Sequence, residues 1–289
     1  MTDQWLRVAE FPPHTDLTAL RESLDRHAIE YRITGEDTAR QLWVADAARM
    51  EEVMALLKEL FRVNTGPVRR PGGHESLADG LRRQFSQAPV MMVCLALSVL
   101  GAAIVQWQFG WVHWLTFQDF DLAGPRQIRL GTLEMTLRNG EYWRIVTPIF
   151  VHFGIFHLAF NGLWLWEFGR RVEALAGSMH FLLLVLFAGA VSNWSQYVWS
   201  GPSLFGGMSG VLYALLGYIW IGNLVAPHPA LAIPRGIIAF MLLWLVLCMT
   251  GAVGLVMQGD IANAAHVSGL VVGMILGAVF GLLRRQRRL

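Results

Sequence analysis

Charge is what this sequence has least of. Of its 289 residues, 15% are Asp, Glu, Lys or Arg, against roughly 25% in a typical soluble domain. What charge there is collects at the front, with 26 such residues in 1–88 and 18 in 89–289. Between Ala174 and Leu283 only Arg235 and Asp260 are charged. With 54% hydrophobic residues and a mean hydropathy of +0.43, such a stretch excludes an ordinary soluble fold and calls for a bilayer. Cysteine is almost as scarce. Cys94 and Cys248 both lie in apolar runs, which argues against a disulfide and for buried free thiols. There is no secretory leader pattern, because Met1-Thr2-Asp3-Gln4 runs into polar sequence, so the N-terminus is expected in the cytosol. A net charge of +2 does not point to nucleic acid either, since the arginines cluster beside apolar segments where topology rules account for them.

What is present divides in two. Residues 4–10 alternate as a strand does, and 16–28 have helical spacing with Thr15 or Asp16 as a candidate cap. Residues 29–34 and 40–45 read as two strands about a turn. Asp46 is placed to cap a last helix through Phe61, with Met50, Val53, Leu56, Leu57 and Leu60 on one face. The expectation is a small α/β (βαββα) cytosolic domain over residues 1–63. Residues 64–88, rich in Gly, Pro and polar groups, read as a linker. His14, His27 and His74 are scattered and form no site.

Six apolar segments follow, at 89–108, 148–169, 178–199, 208–224, 236–257 and 260–283. Most approach the ~20 residues needed to cross a bilayer. Arg82-Arg83, Arg170-Arg171, Arg235 and the arginines of the 284–289 tail fall on one side, so both termini are expected to be cytosolic. The long loop 109–147 carries four arginines balanced by acids. Trp107, Trp111, Trp114, Phe117 and Phe120 suggest that it lies partly in the membrane interface.

The fourth segment is too short. Ser209 to Asn223 spans about 21 Å of helix at 1.5 Å per residue, against an apolar core of about 30 Å. The preceding Gly201-Pro202-Ser203-Leu204-Phe205-Gly206-Gly207 is poor in helix formers. The chain is expected to dip into the membrane as a loop and start a helix there, which is tolerated only where protein or a water-filled cavity receives the backbone.

Gly207-Met208-Ser209-Gly210 stands at that helix start, where free backbone N–H groups and the positive helix end favour an anion. That position suits a nucleophile whose attack creates an oxyanion. Close helix packing alone would also explain the glycines, so a base is needed. His266 in the sixth segment is the candidate, able to take and return the serine proton. Gly269, Gly273, Gly277 and Gly281 follow at four-residue spacing, with Gly210, Ala214 and Gly217 as a matching small face on the fourth segment. Such contact would bring Ser209 and His266 together. In the second segment His157 and Asn161 share a helix face and can both donate to an oxyanion, with His152 one to two turns earlier. A metal site from the three histidines lacks a nearby carboxylate and a His-Glu-x-x-His pattern.

Gly-x-Ser-Gly on the fourth helix, His on the sixth and His-x-x-x-Asn on the second resemble the rhomboid intramembrane serine proteases, over about residues 89–283. Tyr142-Trp143-Arg144 is similar to that family's Trp-Arg motif, and Gly269 and Gly273 to its glycine pair after the histidine. A small N-terminal domain before six helices resembles the bacterial type. The resemblance implies an all-α polytopic membrane protein, a six-helix bundle over 89–283, in a bacterial inner membrane. It implies Ser209 as nucleophile, His266 as base, and the Ser209 N–H with His157 and Asn161 as oxyanion hole. It makes Gly207 the first motif glycine, packs Tyr213 against the histidine, puts His152 beside a water-filled site, and gives Trp143 and Arg144 a structural role in the first loop. Asp260 reads better as a helix cap than as a third catalytic member. The implied partners are transmembrane protein substrates entering laterally past the fifth helix and residues 251–259. No metal, cofactor or nucleic acid is implied. A client-binding relative without activity, or a transporter, would be the alternatives; the presence of both Ser209 and His266 counts against the first, and the lack of repeats and buried charges against the second.

Overall fold

In the computed structural model the described residues are 5–12, 15–35, 39–61, 85–124, 127–251, 253 and 261–286. Asp260, Arg82, Arg83, His14, His74 and most of 64–88 and 251–259 lie outside them. Backbone contacts divide the chain into two compact units, Met1–His74 and Glu75–Leu289.

The first unit follows from its alternation. Strands β1 (Leu6–Phe11), β2 (Tyr31–Thr34) and β3 (Arg40–Val44) form an antiparallel sheet in the order β1-β3-β2, with Leu6 and Tyr31 both opposite Val44. Leu42 and Val44 point to one face by the period of two. They pack with Leu20 and Leu24 of α1 (Thr18–Arg26) and with Val53, Leu56 and Leu57 of α2 (Met50–Phe61). Leu60, expected on that face, is exposed at the helix end. The Asp16 carboxylate accepts the Thr18 N–H at 3.0 Å, and this bond holds its pKa below the usual carboxylate range. Asp46 accepts the Ala48 N–H at 2.8 Å, capping a single 3₁₀ turn that runs into α2.

The second unit is helical. Its long helices are α3 (Pro89–Trp107), α7 (Ser178–Ser200), α9 (Arg235–Met249) and α10 (Asn263–Gln286), with the shorter α8 (Ser209–Val225) among them. Among the described residues, four helical stretches are long and apolar enough to cross a membrane. The second apolar segment starts later than its hydropathy suggests. Thr147–Phe150 is a 3₁₀ turn, Gly154 has φ +104°, and only then does α5 (Ile155–Trp164) begin. It continues through a π-helical turn, Leu165–Gly169, into α6 (Arg170–Ala176). Likewise α9 stops at Met249, eight residues before the expected end, because Gly251 turns the chain with φ +78°.

The loop after α3 is built rather than open. It holds a 3₁₀ run Phe109–Trp114, a hairpin of β4 (Phe120–Gly124) and β5 (Gln127–Leu130), and the short α4 (Leu133–Arg138). Trp107, Trp111 and Trp114 are exposed as interface residues would be, whereas Phe117 is buried against Tyr197 and Phe205, and Phe120 in a cluster with Val112 and Val151.

The core of this unit surrounds α8, of which eleven residues are buried. At the other end of α3, the buried Glu173 carboxylate accepts the Val90 and Met91 N–H groups at 2.9 and 2.7 Å. A carboxylate from α6 thus caps a helix whose own first turn has no acid.

Candidate active site

Ser209 opens α8. The chain reaches it through non-helical residues 201–207, with positive φ at Gly201 (+71°) and Gly207 (+117°). The Gly207 N–H donates to Pro148 O at 2.9 Å, which ties this loop to the turn before α5. No side chain caps α8, so its first N–H groups face the site with the positive end of the helix. A Cβ on Gly207 would lie 2.6 Å from His157 Nε2, so only glycine fits between the serine loop and that histidine.

His266 lies in the first turn of α10. The glycine stripe determines how close α10 comes to α8. A Cβ at Gly269, Gly273 or Gly277 would strike the carbonyl of Gly210, Ala214 or Tyr218 respectively, so the two backbones are in direct contact. Across this contact Ser209 Oγ lies 2.7 Å from His266 Nε2. With the proton on Nδ1, Nε2 accepts the serine hydroxyl. The Tyr213 ring packs against the imidazole, centroids 5.0 Å apart and tilted by 41°, and its hydroxyl donates to Met241 O at 3.0 Å.

On the opposite side stand His157 and Asn161, one turn apart on α5. Asn161 Nδ2 donates to His157 O at 2.8 Å. Both residues line one cavity with Ser209, Tyr213 and His266. It measures about 340 Å³, and its remaining walls are largely apolar, among them Phe160, Trp164, Leu212, Met241 and Trp244. Cys248 also lines it. His152 stands outside this cavity. It is fully buried, with Nδ1 at 3.1 Å from Phe150 O and its ring 5.0 Å from that of His157.

Trp143 and Arg144 lie away from the cavity in a 3₁₀ turn, Tyr142–Ile145. The buried Arg144 guanidinium donates to the Glu141 carboxylate at 2.7 Å and to the carbonyls of His113 and Thr116. Trp143 Nε1 donates to Trp114 O at 3.1 Å. Together they fasten the turn to the 3₁₀ run that follows α3.

The sequence is similar to known proteins. The family model for the Rhomboid domain covers residues 139–283, and that for the Rhomboid N-terminal domain covers residues 3–63. The Rhomboid protease GlpG of Yersinia pestis (strain Pestoides F) is 35% identical over 265 residues, 86% of this chain and 87% of the relative. The chain belongs to the rhomboid family. The same protease from Yersinia pseudotuberculosis (serotype O:3, strain YPIII) matches equally, and that of Yersinia enterocolitica is 35% identical over 195 residues, 65% of this chain and 59% of its own length. With its long apolar helices, the chain is an integral membrane protein.

Two buried polar residues near the rhomboid motifs are not part of them. Gln196 on α7 accepts the Ala265 N–H at 3.2 Å, next to His266, and Asn193 one turn earlier donates to Ile145 O at 2.9 Å. The signal that points to both is an amide inside an apolar helix, which must find a partner.

Proposed function

We propose that Ser209 and His266 form the catalytic dyad of this rhomboid-family intramembrane serine protease. The observation that carries the reading is the 2.7 Å approach of Ser209 Oγ to His266 Nε2 across the glycine contact of α8 and α10. Ser209 Oγ attacks the scissile carbonyl carbon while His266 takes the hydroxyl proton. The oxyanion receives the Ser209 N–H and donors from His157 and Asn161. The C–N bond then breaks and His266 returns the proton to the leaving amine. Water, activated by the same imidazole, hydrolyses the ester and restores Ser209.

The substrate is a transmembrane protein cut in or near its span, and the apolar walls of the cavity suit such a segment. In the six-span reading α3, the α5–α6 run, α7, α8, α9 and α10 cross the membrane, over residues 89–283. The 17 residues of α8 make about 25 Å of helix at 1.5 Å per residue, short of the ~30 Å apolar core. If its last turn is at the cytosolic surface, Ser209 stands inside the bilayer near the opposite face. Residues 1–63 and the basic tail 284–289 then lie in the cytosol, with the protein in a bacterial inner membrane. Substrate enters laterally, past α9.

A serine-directed fluorophosphonate is expected to label the wild type and to lose labelling in both Ser209→Ala and His266→Ala. Equal labelling of His266→Ala would remove the histidine from the mechanism.

A further inference from the structure

We infer that Asn193 on α7 is a positioning residue that sets the oxyanion side of the dyad. Asn193 is 4% exposed, on a face of α7 where Ser192 and Gln196 are buried as well. Its Nδ2 donates to Ile145 O at 2.9 Å and lies 3.4 Å from Val146 O. Those carbonyls form the joint between two 3₁₀ turns, the one carrying Trp143 and Arg144 and the one at Thr147–Phe150.

What the joint holds makes it functional. Two residues beyond Val146, the Pro148 carbonyl accepts the Gly207 N–H at 2.9 Å. A Cβ at the neighbouring Gly206 would lie 2.7 Å from Val151 Cβ, so the serine loop rests directly on this turn. Gly207 in turn abuts His157 and leads into Ser209. A shift at Ile145–Val146 therefore reaches the donors that face the oxyanion. The same face of α7 reaches the other half of the dyad: Gln196, three residues on, accepts the Ala265 N–H beside His266. Gly189, one turn earlier, lets α7 close on Ile149 and Val211, with a Cβ there 3.1 and 3.7 Å from their methyls. Helix α7 thus brackets both halves, and Asn193 is the arm on the serine side. A leucine has the same branching without the cost of burying an amide, but it would not direct the turn as the hydrogen bond donated by Asn193 does.

The inference rests on the Ser209–His266 reading, and two variants test it. Asn193→Asp keeps the shape but replaces the donor by a carboxylate, and Asn193→Leu keeps the branching, with more bulk, and removes the polarity. Each is assayed in detergent for thermal midpoint, for kcat and KM on a single-span substrate, and for the rate of fluorophosphonate labelling. In protein that is folded at the assay temperature, kcat and labelling rate are expected to fall by about 10- to 100-fold, the scale of a displaced catalytic geometry. KM should stay within about 2-fold, since binding walls are untouched. Should Asn193→Asp not fold, Asn193→Leu carries the test. Unchanged kcat and labelling in a folded variant would overturn the inference, as would a loss that disappears when cooling restores the folded fraction. Absence of labelling in the wild type would instead sink the dyad reading itself.

Discussion

The cavity has two unlike walls. On the α8–α10 side, glycines bring backbone against backbone, and Cβ atoms at Gly269, Gly273 and Gly277 have no room. On the α9 side only Met241, Leu245 and Cys248 of the helix are buried, and the rings of Phe240 and Trp244 pack at a tilt against Phe160 and Trp164 of α5. Hydrogen bonds from Tyr213 to Met241 O and from Asn263 to Cys248 O tie α9 across. The difference separates two tasks. Lipid tails are as apolar as leucine, so helices in a bilayer hold together by close packing and hydrogen bonds rather than by a hydrophobic drive. The wall that carries Ser209 and His266 has the close packing. The wall of side chains lacks it, and is the wall past which the proposed function has the substrate enter.

Substitutions at matched places can break or sharpen that contrast. The largest effect is expected from Gly207→Ala, where positive φ and the His157 ring leave no space for a methyl. Activity should fall by about 10²- to 10³-fold, comparable to losing an oxyanion donor, measured as kcat on a membrane substrate. Next is Gly273→Ala, whose Cβ meets the Ala214 backbone carbonyl, an atom that cannot move alone. Overpacking of this kind costs about 1–3 kcal/mol, to be read from the thermal midpoint, and should lower activity through the Ser209–His266 distance. Gly281→Ala should cost less, because its Cβ first meets the Val225 side chain, at 2.8 Å, and the backbone Gly222 O only at 3.3 Å. A Gly281 variant less stable than the Gly273 variant would contradict the account of that wall. Smallest is Leu243→Ala on the exposed face of α9, expected within about 0.5 kcal/mol of wild type, as for surface changes away from any packing feature. A large destabilisation there would mean that α9 is held as firmly as α10.

The residues on the two walls also differ in how far the sequence discloses them. The four-residue spacing of Gly269 to Gly281 is a repeating pattern, and a repeat in one helix together with a small face in another suffices to pair α10 with α8. Ser209 at the start of a short apolar run is legible for the same reason. The beginning of α5 is not, since residues 148–154 are as apolar as the helix they precede and hydropathy has no term for the positive φ of Gly154. The early end of α9 at Gly251 escapes in the same way. Phe117 and Phe120 read as interface aromatics because composition cannot tell a loop residue that packs on distant helices and loops from one that lies on lipid. Asn193, Gln196 and Glu173 act through backbone groups 48, 69 and 82–83 residues away, and such partners leave no local spacing to read.

The central claim is that one hydroxyl and one imidazole, joined across a glycine contact, do the chemistry. It is tested most directly by reconstituting wild type and Ser209→Ala in liposomes with a single-span membrane substrate and following cleavage. The account predicts cleavage by the wild type and none above background by Ser209→Ala. Cleavage by the alanine variant at a rate near that of the wild type would contradict it.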